Sequence, residues 1–183
     1  MELKGKKFKA IMATPATGKS YICDRYEEFV DCDELRLFTK YFVPENITRD
    51  ELEATKSRRK FKKKENWQEE LNKKLLEYYQ NGKILIFAPH PESRQFLIEN
   101  KIPYLFVYPR KHIRKEIKRR MESRGNLPEV VKENDDKFYE YYKSNNLEPY
   151  ATVKFRINKS QYLIDVLKIS GINFDLLTIK NKR

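Results

Sequence analysis

The chain has 183 residues, of which 39% are apolar and 36% charged, and its net charge is +12. That length suits one domain with a sizeable core. No apolar run approaches the ~18 residues that span a bilayer, which excludes a helical membrane protein. Two cysteines, Cys23 and Cys32, give neither a disulfide framework nor a metal-ligand spacing.

The segment from Met1 to Lys7 has no apolar signal core, so the cytoplasm is the expected compartment. The positive charge favours polyanionic partners, and nucleotides and nucleic acid both satisfy it. Residues 8–12 form a short apolar run and predict the first strand. Residues 19–29 predict the first helix, with Ile22, Tyr26 and Phe29 at helical spacing. Between them lies Ala13-Thr14-Pro15-Ala16-Thr17-Gly18-Lys19-Ser20. A strand, this loop and a helix are the context of a phosphate-binding P-loop. Backbone N–H groups at the head of a helix make a concavity for phosphate oxygens. In such a loop Lys19 reaches the β- and γ-phosphates of a nucleotide, and the Ser20 hydroxyl ligates Mg²⁺. Ala13 stands where the usual pattern has glycine. A Gly-Lys-Ser turn opening an ordinary helix is the plainer reading.

Residues 29–32 predict a brief strand that ends in Asp31-Cys32-Asp33. One carboxylate can hold Mg²⁺ through water. The other can orient or deprotonate an acceptor hydroxyl, or bind a base edge. Capping of the chain from Glu34 onward is the structural alternative. Residues 34–66 read as a long, charged, poorly patterned insertion that contains short helices, one begun by Thr48 with Glu51 at capping-box spacing. Seven of the nine residues from Lys56 to Lys64 are basic, with Phe61 among them. That run suits a nucleic-acid backbone or a solvated rim.

Residues 66–80 predict a helix that Asn81-Gly82 stops, and residues 83–88 a buried strand. His90 and Arg94 follow at the head of a helix over 91–100, placed to contact a phosphate or base. A further strand covers 104–108, a basic helix 110–124, a second helix 128–145, a strand 151–155 and a helix 159–170. Residues 172–179 are a candidate edge strand. Arg120 and Arg124 lie four apart on one face of the basic helix, where a lid can close on a transferring phosphoryl group. A solvated basic face is the commoner meaning of such a run. Alternating strands and helices imply a parallel sheet covered on both faces, with ligands at the carboxyl ends of the strands.

Taken together, residues 13–20, Asp31-x-Asp33, the His90/Arg94 turn and the segment from Tyr108 through Arg120, Arg124 and Gly125-Asn126 resemble the P-loop nucleoside monophosphate kinase superfamily. Within it the chain is most similar to small kinase-like proteins encoded by bacteriophages, chiefly over residues 102–126. The resemblance implies one domain over residues 1–183, of the three-layer P-loop α/β fold with about five parallel strands. It implies an acceptor-binding insertion over 34–66 and a helical lid over 110–145. It implies ATP and Mg²⁺, with phosphoryl transfer to a nucleoside monophosphate, in the host cytoplasm if the chain is phage-encoded. Thr14, Ala16, Thr17, Gly18, Lys19 and Ser20 then hold the ATP phosphates, and Ser20 and Asp31 the magnesium. Asn158 and Lys159 form the loop over adenine. Asp33, Arg36, His90 and Arg94 bind the acceptor, and Lys19, Asp33, Arg120 and Arg124 serve the transfer. The chain departs from this pattern at Ala13 and in having no acidic residue directly after Phe87. A polynucleotide 5′-hydroxyl kinase, or a non-catalytic nucleotide- or nucleic-acid-binding protein of the same fold, are the alternatives.

Overall fold

The structure is a computed structural model that describes residues 2–3, 6–44, 47 and 61–180. The Thr48/Glu51 pattern and the Lys56–Lys60 part of the basic run lie outside the described residues. A short antiparallel ladder, β1 (Glu2–Leu3) with β2 (Lys6–Lys7), precedes the main sheet. The sheet strands are β3 (Ala10–Ala13), β4 (Phe29–Asp31), β5 (Ile84–Phe87), β6 (Leu105–Pro109) and β7 (Val153–Ile157). All pair parallel, in the order β4-β5-β3-β6-β7. From the central β3 the chain crosses first to one side and later to the other. The carboxyl end of β3 is therefore where an open parallel sheet leaves a crevice.

Successive strand residues point to opposite faces, and that alternation builds two cores. Ile11, Ala13, Ile86, Leu105 and Val107 face one layer, and Ala10, Met12, Leu85, Phe87 and Phe106 the other. The first layer contains α1 (Lys19–Cys23), α5 (Arg114–Ser123), α6 (Pro128–Asp136) and α8 (Leu163–Ile169). The second contains α2 (Cys32–Lys40), α3 (Trp67–Gln80) and α4 (Pro91–Glu99). Between α6 and β7, α7 (Phe138–Asn146) contributes Phe138 to the first core and Tyr142 to the second. The expected α/β architecture, a five-stranded parallel sheet with helices on both faces, is what the chain adopts. Among the described residues no helix is long and apolar enough to cross a membrane.

Four expectations need correction. The first helix ends at Cys23 rather than Phe29. The carboxyl-terminal segment captures the residues beyond it: Tyr26 bridges to Ile179, and the Glu27 N–H donates to the Thr178 carbonyl at 3.0 Å. For the same reason residues 172–179 form no edge strand; they hold a 3₁₀ turn, Phe174–Leu176, and that single bridge. The insertion expected to start at Glu34 starts inside a helix instead, because α2 already begins at Cys32, with Asp31 as its cap, and runs to Lys40. The helix expected over 128–145 is broken at Lys137, and the break lets both Val131 and Phe138 enter the first core.

Phe106 is fully buried at the middle of β6 and stacks at a tilt on Tyr108, ring centroids 5.2 Å apart. Phe106→Ala should lower the unfolding free energy by about 4 kcal/mol in a denaturant titration. A loss below about 1 kcal/mol would show that the second core can collapse around the gap.

Candidate functional site

The loop from Ala13 to Ser20 is held from both sides before any ligand is considered. The Thr14 N–H donates to the Val107 carbonyl at 3.2 Å, and the Leu163 N–H donates to the Thr17 carbonyl at 2.8 Å. Inside the loop the Thr17 hydroxyl donates to the Thr14 carbonyl at 2.7 Å. Ala13 ends β3 as extended chain, so alanine meets no strain there. The left-handed positions are Ala16, at φ 60°, and Gly18, at φ 98°. A side chain at Gly18 would be strained by that φ, and its Cβ would also sit 3.5 Å from the Tyr162 ring. The helix that follows has only five residues. Its summed dipole is accordingly small, and the loop's own N–H groups and Lys19 supply most of the positive potential.

The Lys19 ammonium stands at the loop mouth and donates to the Ala13 carbonyl at 2.9 Å and the Thr14 carbonyl at 3.4 Å. Asp33 Oδ2 is 3.9 Å from it. The other oxygen of Asp33 accepts from the Ala88 N–H at 3.1 Å. Ala88 directly follows β5, where the sequence carries no acid. The fold delivers one there from the first turn of α2. Asp31 takes the capping role: its Oδ1 accepts from the N–H groups of Asp33 and Glu34 at 3.0 and 3.1 Å. The resemblance gives the magnesium to Asp31; here the Asp31 carboxylate caps α2, and Asp33 is the acid that faces Lys19.

Arg124 reaches across the loop, its Nη2 donating to the Ser20 hydroxyl at 3.3 Å. Arg120 does something different from the lid contact expected of it. It is buried and donates to the Glu116 carboxylate at 2.9 Å, to the Gln161 carbonyl at 3.1 Å, to the Ala16 carbonyl at 3.4 Å and to the Lys159 carbonyl. Its guanidinium carbon lies 3.9 Å from the centroid of the Tyr162 ring. Arg120 therefore fastens the 158–162 turn to the loop and positions both. In that turn the Asn158 N–H donates to Gln161 Oε1 at 2.9 Å. The Tyr162 N–H donates to Asp165 Oδ2 at 2.7 Å and so caps α8.

The acceptor candidates divide. Arg36 lies 4.0 Å from Glu92, and its Nε is buried without a hydrogen-bond partner. It lines a cavity of about 180 Å³ between α2, α3 and α4, together with Trp67, Asn72, Phe87 and Gln95. His90, at the head of α4, has its pKa lowered from the ordinary 6.5, first by burial and then by the charge of Arg36. Its ring is neutral at pH 7 and offers a hydrogen bond rather than a charge. Arg94 is drawn away: it pairs with Glu148 at 2.5 Å and donates to the Pro89 carbonyl at 2.7 Å. Glu148 also accepts from the Tyr104 hydroxyl at 2.9 Å. Among the described residues no three His, Cys, Asp or Glu side chains gather as a metal site.

Loop residues 14–20, Asp33, Arg120, Arg124 and the Asn158–Lys159 turn thus meet at the carboxyl end of the sheet, with Arg36 and His90 beside the neighbouring cavity. Sequence reasoning missed Glu116, Glu148 and Tyr162. For Tyr162 a signal existed, the acid three residues on, ahead of an apolar run; for Glu116 and Glu148 the partners are distant or hidden in a charged helix.

The Glu116 carboxyl is pulled from its ordinary 4.5 to about 2 by hydrogen bonds from Arg119 and then Arg120. The folded value lies below the unfolded one, so its contribution is complete above about pH 4.5 and is lost as pH falls through about 2. Glu116→Gln should flatten that part of the acid unfolding curve and lower stability at pH 7. Arg120→Ala should cost about 2 kcal/mol, because it also leaves carbonyls of the turn unpaired. No protein-family model and no curated protein sequence matches this chain.

Proposed function

We propose that the chain transfers the γ-phosphoryl group of ATP to a nucleoside monophosphate. The observation that carries this reading is the bridging carboxylate of Asp33, between the Ala88 N–H and the Lys19 ammonium. It sets an acid and a base at the mouth of a loop rich in N–H donors. The buried Thr14 hydroxyl in that loop, which has no hydrogen-bond partner, adds a polar atom suited to a ligand.

In this reading the γ-phosphorus leaves its bridging oxygen to ADP and bonds to an oxygen of the acceptor phosphate. Such a transition state asks mainly for positioning and charge stabilisation. Lys19 turns from the Ala13 and Thr14 carbonyls to the β- and γ-oxygens. The N–H groups of Ala16, Thr17, Gly18, Lys19 and Ser20 hold the same phosphates, with the Thr14 hydroxyl beside them. Arg124, already over Ser20, covers the transferring group and excludes water. Arg36 takes the acceptor phosphate, and the neutral His90 donates or accepts one hydrogen bond beside it. The cavity lined by Trp67, Asn72 and Gln95 holds the acceptor base. A magnesium ion fits the donor set, a hydroxyl and a nearby carboxylate, because that metal takes few protein ligands alongside phosphate oxygens. Ser20 and Asp33 would hold it, and it would neutralise phosphate charge when bound.

The test is a panel of nucleoside monophosphates incubated with γ-labelled ATP. The wild type should label at least one of them. Lys19→Ala should lose on the order of 10²–10³ in rate while keeping its fold. Arg36→Ala should raise KM for the acceptor with little change for ATP. Wild-type turnover by a folded Lys19→Ala variant, or no labelled monophosphate with the wild type, would overturn the reading.

A further inference from the structure

A second cationic surface lies at the opposite end of α2 from Asp33. The helix ends at Lys40, and residues 61–64 return to pair with the chain just beyond it. The Phe42 N–H donates to the Lys62 carbonyl at 2.9 Å, the Lys64 N–H donates to the Lys40 carbonyl at 2.9 Å, and Tyr41 bridges Lys63. These bonds fix Lys62, Lys63 and Lys64 next to Lys40. Aromatic rings are interleaved with the ammonium groups. Lys40 and Lys63 stand 4.9 and 5.5 Å from the centroid of the buried Trp67 ring, and Lys64 stands 5.7 Å from that of Phe42. Phe42 itself is 57% exposed. Acids are nearby: Glu65 and Glu69 are exposed, and Glu70 pairs with Lys64 at 3.9 Å and with Lys74 at 2.7 Å. Among the described residues Lys62 and Lys63 make no ion pair within 4.0 Å.

Nine residues of helix, about 13 Å, separate Lys40 from the end of α2 that carries Asp33. The patch meets the cavity assigned to the acceptor base only at Trp67, whose ring Lys40 and Lys63 approach, while Phe42, Lys62 and Lys64 lie outside that cavity's lining. An exposed ring among fixed ammonium groups is the arrangement that tracks a phosphate backbone and stacks an unpaired base. A duplex offers no free base face to Phe42. A lipid surface calls for an apolar helix face turned outward, whereas Leu37 of α2 and Trp67, Leu71 and Leu75 of α3 are buried in the fold. We infer that this surface binds single-stranded nucleic acid, with Lys40 and Lys62–Lys64 on the phosphates and Phe42 under a base. The inference is independent of phosphoryl transfer, and its failure would leave that reading untouched.

Fluorescence anisotropy of the full chain with labelled oligothymidylate tests it. Affinity should fall about fiftyfold between 50 and 200 mM salt, as expected for four phosphate contacts on a single strand. The triple variant Lys62→Ser, Lys63→Ser, Lys64→Ser should bind more weakly with a flatter salt dependence. Phe42→Ala should weaken binding about tenfold and leave the salt slope unchanged. Phe42 is exposed, so an unchanged melting curve certifies the fold. Absence of salt-sensitive binding by the wild type would overturn the inference. So would equal binding by Phe42→Ala, which marks mere polyanion attraction, or a preference for duplex DNA or for phosphatidylserine vesicles over the oligonucleotide.

Discussion

The Asp33 carboxylate holds two things at once, the backbone after β5 and the neighbourhood of the Lys19 ammonium. It can do so only because three strands end side by side. β3 supplies the loop, β5 supplies the Ala88 N–H, and β4 leads directly into α2. Asp31 caps that helix and turns the chain so that Asp33, two residues on, faces inward. A one-residue slip of β4 would turn the alternate residue inward and move the acid to the other face. The parallel register, with Asp31 beside Ile86, fixes the geometry.

The large positive charge has more than one use. Two arginines are structural: Arg120 sits among four acceptors and a tyrosine ring, and Arg94 pairs with a buried glutamate. Each ties a segment remote in sequence to the rim of the site. Arg120 joins residues 159–161 to the loop, and Arg94 joins Glu148 to the Pro89 turn. Arg114 and Asp135 do the same between α5 and α6, with contacts of 2.7 and 3.0 Å. The segment expected to move as a lid is therefore well fastened in this structure. Arg124, exposed on the last turn, is the member best placed to shift.

Much of the fold was legible because its strongest signals are local. The apolar runs before Ala13, at Ile84–Phe87 and at Leu105–Pro109 can only be buried, and each became a central strand. Gly18, directly before the lysine, was legible as part of the loop, and it takes a left-handed φ there. The failures have a common cause in distant partners. Tyr26 and Glu27 fit a helical pattern, yet residues 178–180 claim their backbone. Asp33 looked like half of an ambiguous pair until Ala88 gave it a donor 55 positions away. Arg94 looked like a phosphate clamp because nothing near it in sequence announced Glu148.

The central claim is that residues 13–20 form a phosphate cradle. Amide chemical-shift mapping by heteronuclear NMR, with ATP and magnesium titrated into the wild-type chain, tests it most directly. The account predicts saturable shifts concentrated at the N–H groups of Thr14, Ala16, Thr17, Gly18, Lys19 and Ser20, with a second response at Ala88 as Lys19 and Asp33 readjust. Shifts confined to the surface around Phe42 and Lys62–Lys64, with the loop unmoved, would contradict it.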